Sequence, residues 1–187
     1  MKRITSLTLF AASGLAGLAA IGALESRALA EAVDEHALQI DVACDCRTGS
    51  NPRGTDRGDV FIIQGKMFPA GTLPSGAATN DPTEPVNGVA PIGDWICRGQ
   101  YADPASSAPA YASTPMEFFT QYFLLAHGTI TTEGYETASH SLSSVTGGID
   151  RYRGVSGDYS TERLGTNISG CPNFRVKFRL RRQTDDR

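Results

Sequence analysis

The stretch TGGIDRYRGVSGDYS, Thr146 to Ser160, decides the fold class read from this chain. A paired glycine, a short polar turn, an Arg151-Tyr152-Arg153-Gly154 step and a further glycine follow one another in it. Glycines so placed let a chain bend sharply or let another backbone come close. Gly147, Gly148, Gly154 and Gly157 are therefore read as a corner of a sheet. The flanking segments Ser139 to Val145 and Val155 to Thr161 have the composition of strands.

Working outward, Phe174 to Arg181 alternates cleanly, with Phe174, Val176, Phe178 and Leu180 on one face and Arg175, Lys177, Arg179 and Arg181 on the other. Met116 to Ala126 (MEFFTQYFLLA) is a long apolar run that turns at His127-Gly128 into Thr129 to Tyr135. Three earlier strands are expected at Ala37 to Ala43, Val60 to Phe68 and Ile92 to Tyr101. No segment beyond the N-terminal leader has a helical period. The pattern is all-β: an eight-stranded antiparallel β-barrel, its later strands a meander.

Eight of the ten prolines fall between Pro69 and Pro115. Two long Pro-rich loops result, at 69–91 and 103–115, and loops of that length serve as functional lids or are disordered. Met116 to Ala126 also departs from simple alternation. Phe118, Tyr122 and Leu124 share one face while Phe119, Phe123 and Leu125 share the other. A barrel wall facing water should be polar outside, so a loop or a second subunit is expected to cover it.

Residues 1–30 read as a cleaved signal peptide: Lys2-Arg3, an apolar run from Leu7 to Leu24, then Ala28-Leu29-Ala30. The product is expected to be secreted or periplasmic and free of the membrane. Residues 31–57 are read as an N-terminal strand with a Cys-containing loop, and 58–187 as the barrel domain. Residues 31–187 carry 14 Lys and Arg against 19 Asp and Glu, a negative balance that argues against nucleic acid as a partner. Cys44, Cys46, Cys97 and Cys171 all lie in the exported part, and an even count there points to two disulfides. Cys44 and Cys46 stand too close in sequence to pair with each other, so each is expected to reach Cys97 or Cys171.

The residues that carry chemistry are few. His36, His127 and His140 are far apart and show no metal-ligand spacing. No nucleophile elbow and no phosphate loop is present, so neither metal nor cofactor is expected. Arg57-Gly58-Asp59 and the sequon Asn167-Ile168-Ser169 are short enough to arise by chance. Glu117 and Gln121 share one strand face. An inward Glu117 could serve as a general base or cation stabiliser, its pKa raised by an apolar cavity, while the alternative is a solvated rim carboxylate. Trp95, Tyr101 and Cys97 share a face that Arg98 does not, which points Arg98 outward.

Together, the Gly58-Asp59-Val60-Phe61 opening, Phe118 to Ala126 with its His127-Gly128 turn, TITTEGY, and the Thr146-Gly147-Gly148 corner with Arg151 to Gly154 resemble bacterial members of the allene oxide cyclase barrel-like group. That group is related to the plant dirigent proteins. The resemblance spans Gly58 to Leu180 and implies a calycin-like eight-stranded barrel around an apolar cavity. It also implies a hydrophobic small molecule as the partner, a cyclase or isomerase type of reaction, and a homo-dimer or homo-trimer. Trp95, Tyr101, Phe118 and Tyr122 are the expected ligand contacts and Glu117 the candidate catalytic group. The chain departs from the plant relatives at the corner: Ile149 and Asp150 follow the glycine pair, Arg151 stands where dirigent corners often carry an acid, and Ser156 where they carry an arginine. The fold carries over; the reaction does not follow from it. From a different class, the four cysteines, the Pro-rich loops and the missing catalytic set fit a disulfide-stabilised extracellular structural or interaction module.

Overall fold

A computed structural model describes residues 33–48, 58–77, 79–102, 117–136 and 141–183. Nine strands follow in order: β1 (Val33–Asp45), β2 (Val60–Pro69), β3 (Gly76–Ala77), β4 (Gly93–Tyr101), β5 (Glu117–Leu125), β6 (Gly128–Glu136), β7 (Ser141–Gly148), β8 (Val155–Thr166) and β9 (Pro172–Gln183). Hydrogen bonds run β8-β7-β6-β5-β4-β2-β1-β9, and β9 returns to β8. Eight antiparallel strands thereby close into an up-and-down barrel, with β3 a short parallel addition to β8. The fold expected from the sequence is the fold observed. β1 is one of the staves of this cylinder, bonded to β2 and β9. The leader and the second Pro-rich loop lie outside the described residues.

Period-two alternation decides which residues fill the barrel. On β9, Val176, Phe178 and Leu180 are buried inside, while Lys177, Arg179 and Arg181 are exposed outside. The outer basic row meets acids of β8, Lys177 to Glu162 at 2.8 Å and Arg179 to Asp158 at 2.7 Å. Such exposed pairs contribute little to stability and make a solvated wall.

The second half of β1, residues 40–45, is buried on both faces. Ile40, Val42 and Cys44 face the barrel core. Outside, residues 70–77 and 79–91 form a belt in which Leu73 and Val86 pack on Ala43, Phe68 and Leu164. The first Pro-rich loop is thus a fixed covering of the wall. Asp41, with no exposed surface, anchors it by accepting from the Gly71 and Leu73 amides at 2.9 and 3.0 Å and from Arg175 Nε at 2.7 Å. Arg47 Nη2 reaches Asp81 at 2.8 Å, and Asn173 Nδ2 donates to Asn80 Oδ1 at 2.7 Å.

The two turn motifs of the sequence dock on each other. Thr131 pairs with Gly147 and Thr132 with Val145, so Thr146 is an extra residue that bulges β7. A 3-10 turn follows at Asp150–Tyr152. The Ile149 amide donates to Thr129 and the Arg151 amide to His127. Gly128, at φ 137°, lies where a Cβ would meet the Ile149 carbonyl, and a Cβ on Gly148 would meet the carbonyls of Tyr152 and Thr129. Gly154 takes φ 71°, whereas Gly157 falls within β8 against the Arg179 carbonyl.

Cys46 and Cys171 form a disulfide, tying the segment after β1 to the start of β9. Cys44 and Cys97 are free and buried, which corrects the expectation of two disulfides. The reason is geometric: with β2 inserted between β1 and β4, their strands are not neighbours. A disulfide belongs to an oxidising compartment. No helix among the described residues is long and apolar enough to cross a membrane. The sequon asparagine is committed inside the fold, Asn167 Nδ2 donating to the Cys44 carbonyl at 2.8 Å.

Asp41→Ala should destabilise the chain by on the order of 3 kcal/mol, because it orphans a guanidinium and two amides at once. Urea denaturation reads the loss, and limited proteolysis should show the first cuts within residues 70–91. A change below about 0.5 kcal/mol, the ordinary range for surface substitutions, would remove Asp41 as the anchor.

Candidate functional site

Register sorts the barrel interior into rows. Tyr101, Glu117 and Glu136 stand side by side on β4, β5 and β6 at one mouth. Next come Gly99, Phe119 and Gly134, then Cys97, Gln121 and Thr132, then Trp95, Phe123 and Ile130. The deeper interior is packed solid. Phe123 and Phe178 meet edge to face at 4.9 Å, and Tyr159 lies 5.4 Å from Phe178.

The mouth end is open, with a cavity of about 300 Å³ walled by Phe61, Ile63, Trp95 and Phe174. Glu117, Glu136, Gln121, Cys44, Cys97 and Arg163 bring polar groups to it. Gly99 makes room for one of these walls: it has no side chain, and a Cβ on it would strike the Phe61 ring. A larger concavity of about 510 Å³ lies on the outer wall by Val60, Ile62 and Phe118. The mouth cavity is the better candidate because titratable groups converge there on apolar walls.

Glu117 is the central group. Loss of hydration pushes its carboxyl up to about 7, and Glu136 directly opposite adds like-charge repulsion. Glu136 is also raised by desolvation, although the residue as a whole is exposed; its carboxyl leans toward the cavity that it lines. Burial raises the Tyr101 phenol, with Glu117 reinforcing it. Burial likewise raises the Cys44 and Cys97 thiols, so both stay protonated near neutrality and lack the thiolate a nucleophile needs. Glu117 is then the group of this set that changes its protonation state near neutrality.

Of the ligand contacts expected from the sequence, Trp95 lines the cavity, and Tyr101 packs beside it with its ring 5.2 Å from Phe61. Phe118 and Tyr122 do not reach it. Once Glu117 and Gln121 point inward, strand alternation turns Phe118 and Tyr122 outward. Phe118 is 56% exposed, and Tyr122 lies under Arg98, whose guanidinium carbon is 5.7 Å from the ring centre. Arg98 faces outward, as its parity requires. Glu136, Arg163 and Phe174 were not singled out as site residues from the sequence, because only the barrel register brings them to Glu117. Among the described residues, no cluster of three or more His, Cys, Asp or Glu could hold a metal ion.

No family model and no curated protein matches the chain. Solved structures similar to it include a pyocyanin demethylase, 15% identical with TM-score 0.48, over 76% of this chain and 99% of that one. The Diels Alderase AbmU from Streptomyces koyangensis is 16% identical with TM-score 0.47, over 96% and 85%. A nonspecific heme-binding cyclase of neoabyssomicin biosynthesis is 16% identical with TM-score 0.46, over 95% and 82%. Likeness at this level assigns no activity to the chain.

A carboxyl that holds its proton more tightly folded than unfolded costs stability as pH rises from the ordinary carboxylate range through about 7, and the cost is complete above that. Glu117→Gln should therefore match the parent at about pH 4 and exceed it at about pH 8 by on the order of 2 kcal/mol, partial exposure reducing the full effect. Denaturation midpoints at the two pH values check this. A difference that does not change with pH would contradict the assignment.

Proposed function

We propose that this chain is an exported barrel that takes a hydrophobic small molecule into its mouth cavity and uses Glu117 as proton donor and acceptor in a cyclase- or isomerase-type reaction. The observation that carries the reading is a carboxyl pushed up to about 7 at the edge of an apolar pocket. A group with that pKa is populated in both protonation states near neutrality, which general acid–base chemistry needs. The walls of Phe61, Ile63, Trp95 and Phe174 hold a flexible apolar molecule in few shapes, and restricting its conformers lowers the barrier to an intramolecular step. Glu136 tunes Glu117 and does not need to touch the ligand. A hydrophobic partner is supported by the aromatic lining, and export by the leader and the disulfide.

A non-catalytic structural module is the second reading, and the packed deeper half of the barrel around Phe123, Tyr159 and Phe178 favours it. The two readings differ in what the mouth retains. Native mass spectrometry of the purified chain, after incubation with lipid or cell extract, should show a retained small molecule. Binding should also change the emission of Trp95, the one tryptophan of the chain. Ile63→Trp, which fills the cavity, should abolish retention, whereas Glu117→Gln should keep it and slow any conversion by about a hundredfold or more. A parent chain that retains nothing favours the structural module.

A further inference from the structure

Gln121 is only 7% exposed, yet it lines the mouth cavity. It stands between Cys97 on β4 and Thr132 on β6, in the row where the open mouth gives way to the packed interior. Its side chain makes one hydrogen bond among the described residues: Trp95 Nε1 donates to Oε1 at 3.2 Å. An indole N–H can only donate. The Trp95 contact therefore decides which way the amide faces, holding the oxygen toward the indole and leaving the NH2 group on the other side. That group meets no acceptor among the described residues and is not sealed from solvent, so its two donors face the cavity that Gln121 lines. They are available to an acceptor that enters the cavity.

The neighbours decide what that partner is. The Cys97 thiol, held protonated by burial, is a poor acceptor. The Thr132, Ser143 and Tyr159 hydroxyls are buried beneath it, close to one another and outside the lining of the cavity. Gln121 thus brings the donors to the inner end of the cavity, while the Glu117 carboxyl stands four residues away along β5 at the rim. We infer that Gln121 Nε2 receives an acceptor oxygen of the ligand, and that the mouth cavity selects apolar molecules carrying a carbonyl group. Trp95 acts as a positioning residue by fixing the amide. The inference rests on the mouth cavity being a binding site. It assigns the substrate class as hydrophobic carbonyl compounds, with the oxygen at depth and the carbon skeleton extending toward Glu117.

The test uses a matched pair of probes, 4-phenylcyclohexanone and the analogue in which an exocyclic methylene replaces the carbonyl oxygen, titrated into the purified full chain by calorimetry. The ratio of ketone to alkene affinity should fall about tenfold from the parent to Gln121→Met, a near match in length without donors. Trp95→Phe, which frees the amide to reverse, should lower the same ratio several-fold and so supplies a second reading if Gln121→Met does not fold. An unchanged ratio in a folded variant overturns the inference and leaves the binding cavity standing. Failure of the parent to bind either probe removes the cavity reading and the inference with it.

Discussion

With eight strands and both edges joined, the cylinder is only wide enough to be filled by its own side chains or to hold one small ligand. Every inward residue competes for that space. Closure at the seam, where β9 bonds to both β8 and β1, imposes the competition and satisfies the backbone groups that an open edge would leave bare. The Cys46–Cys171 disulfide joins the chain near that seam across 125 residues. Such a link restricts the unfolded chain most when the loop it closes is long.

The two ends of the barrel use the interior differently. Toward the corner, large rings interlock and leave no room. Toward the other mouth, the interior opens into a cavity beside Glu117 and Gln121, walled by Phe61, Ile63, Trp95 and Phe174. The result is a gradient in polarity: raised carboxyls at the rim, the Gln121 amide two rows in, aromatic packing beneath. Outside, the belt on β1 and β2 is held by the buried Asp41 carboxylate. That anchoring keeps the wall behind Cys44 and Ile63 in place and gives the cavity a fixed side.

Much of this was legible in the residues. Alternation in Phe174 to Arg181 gave both faces of β9, and the parity of Trp95 against Arg98 placed one inside and the other outside, because a strand's period is set by its backbone alone. The His127-Gly128 turn and the Gly148 corner were each visible as glycines. Their docking on one another was not, since it depends on a bulge at Thr146 that shifts register by one residue. On β5 the reading was incomplete for a plain reason. Both faces are apolar, so parity separates Phe118 and Tyr122 from Glu117 without saying which set is inside. The pairing of cysteines was misread because an even count says nothing about which strands are neighbours.

The sequence by itself determined that the chain is all-β, where its eight barrel strands lie, and that Glu117 and Gln121 share a face; local alternation and turn chemistry suffice for these. Only the tertiary structure decided that this face is the inner one, that Glu136 stands opposite Glu117, that Cys44 and Cys97 remain free thiols, and that the first Pro-rich loop is a belt on the outer wall. Each of these depends on which strands are brought side by side and in what register. Closure of the barrel fixes that through contacts between residues far apart in the chain, and no local pattern encodes it.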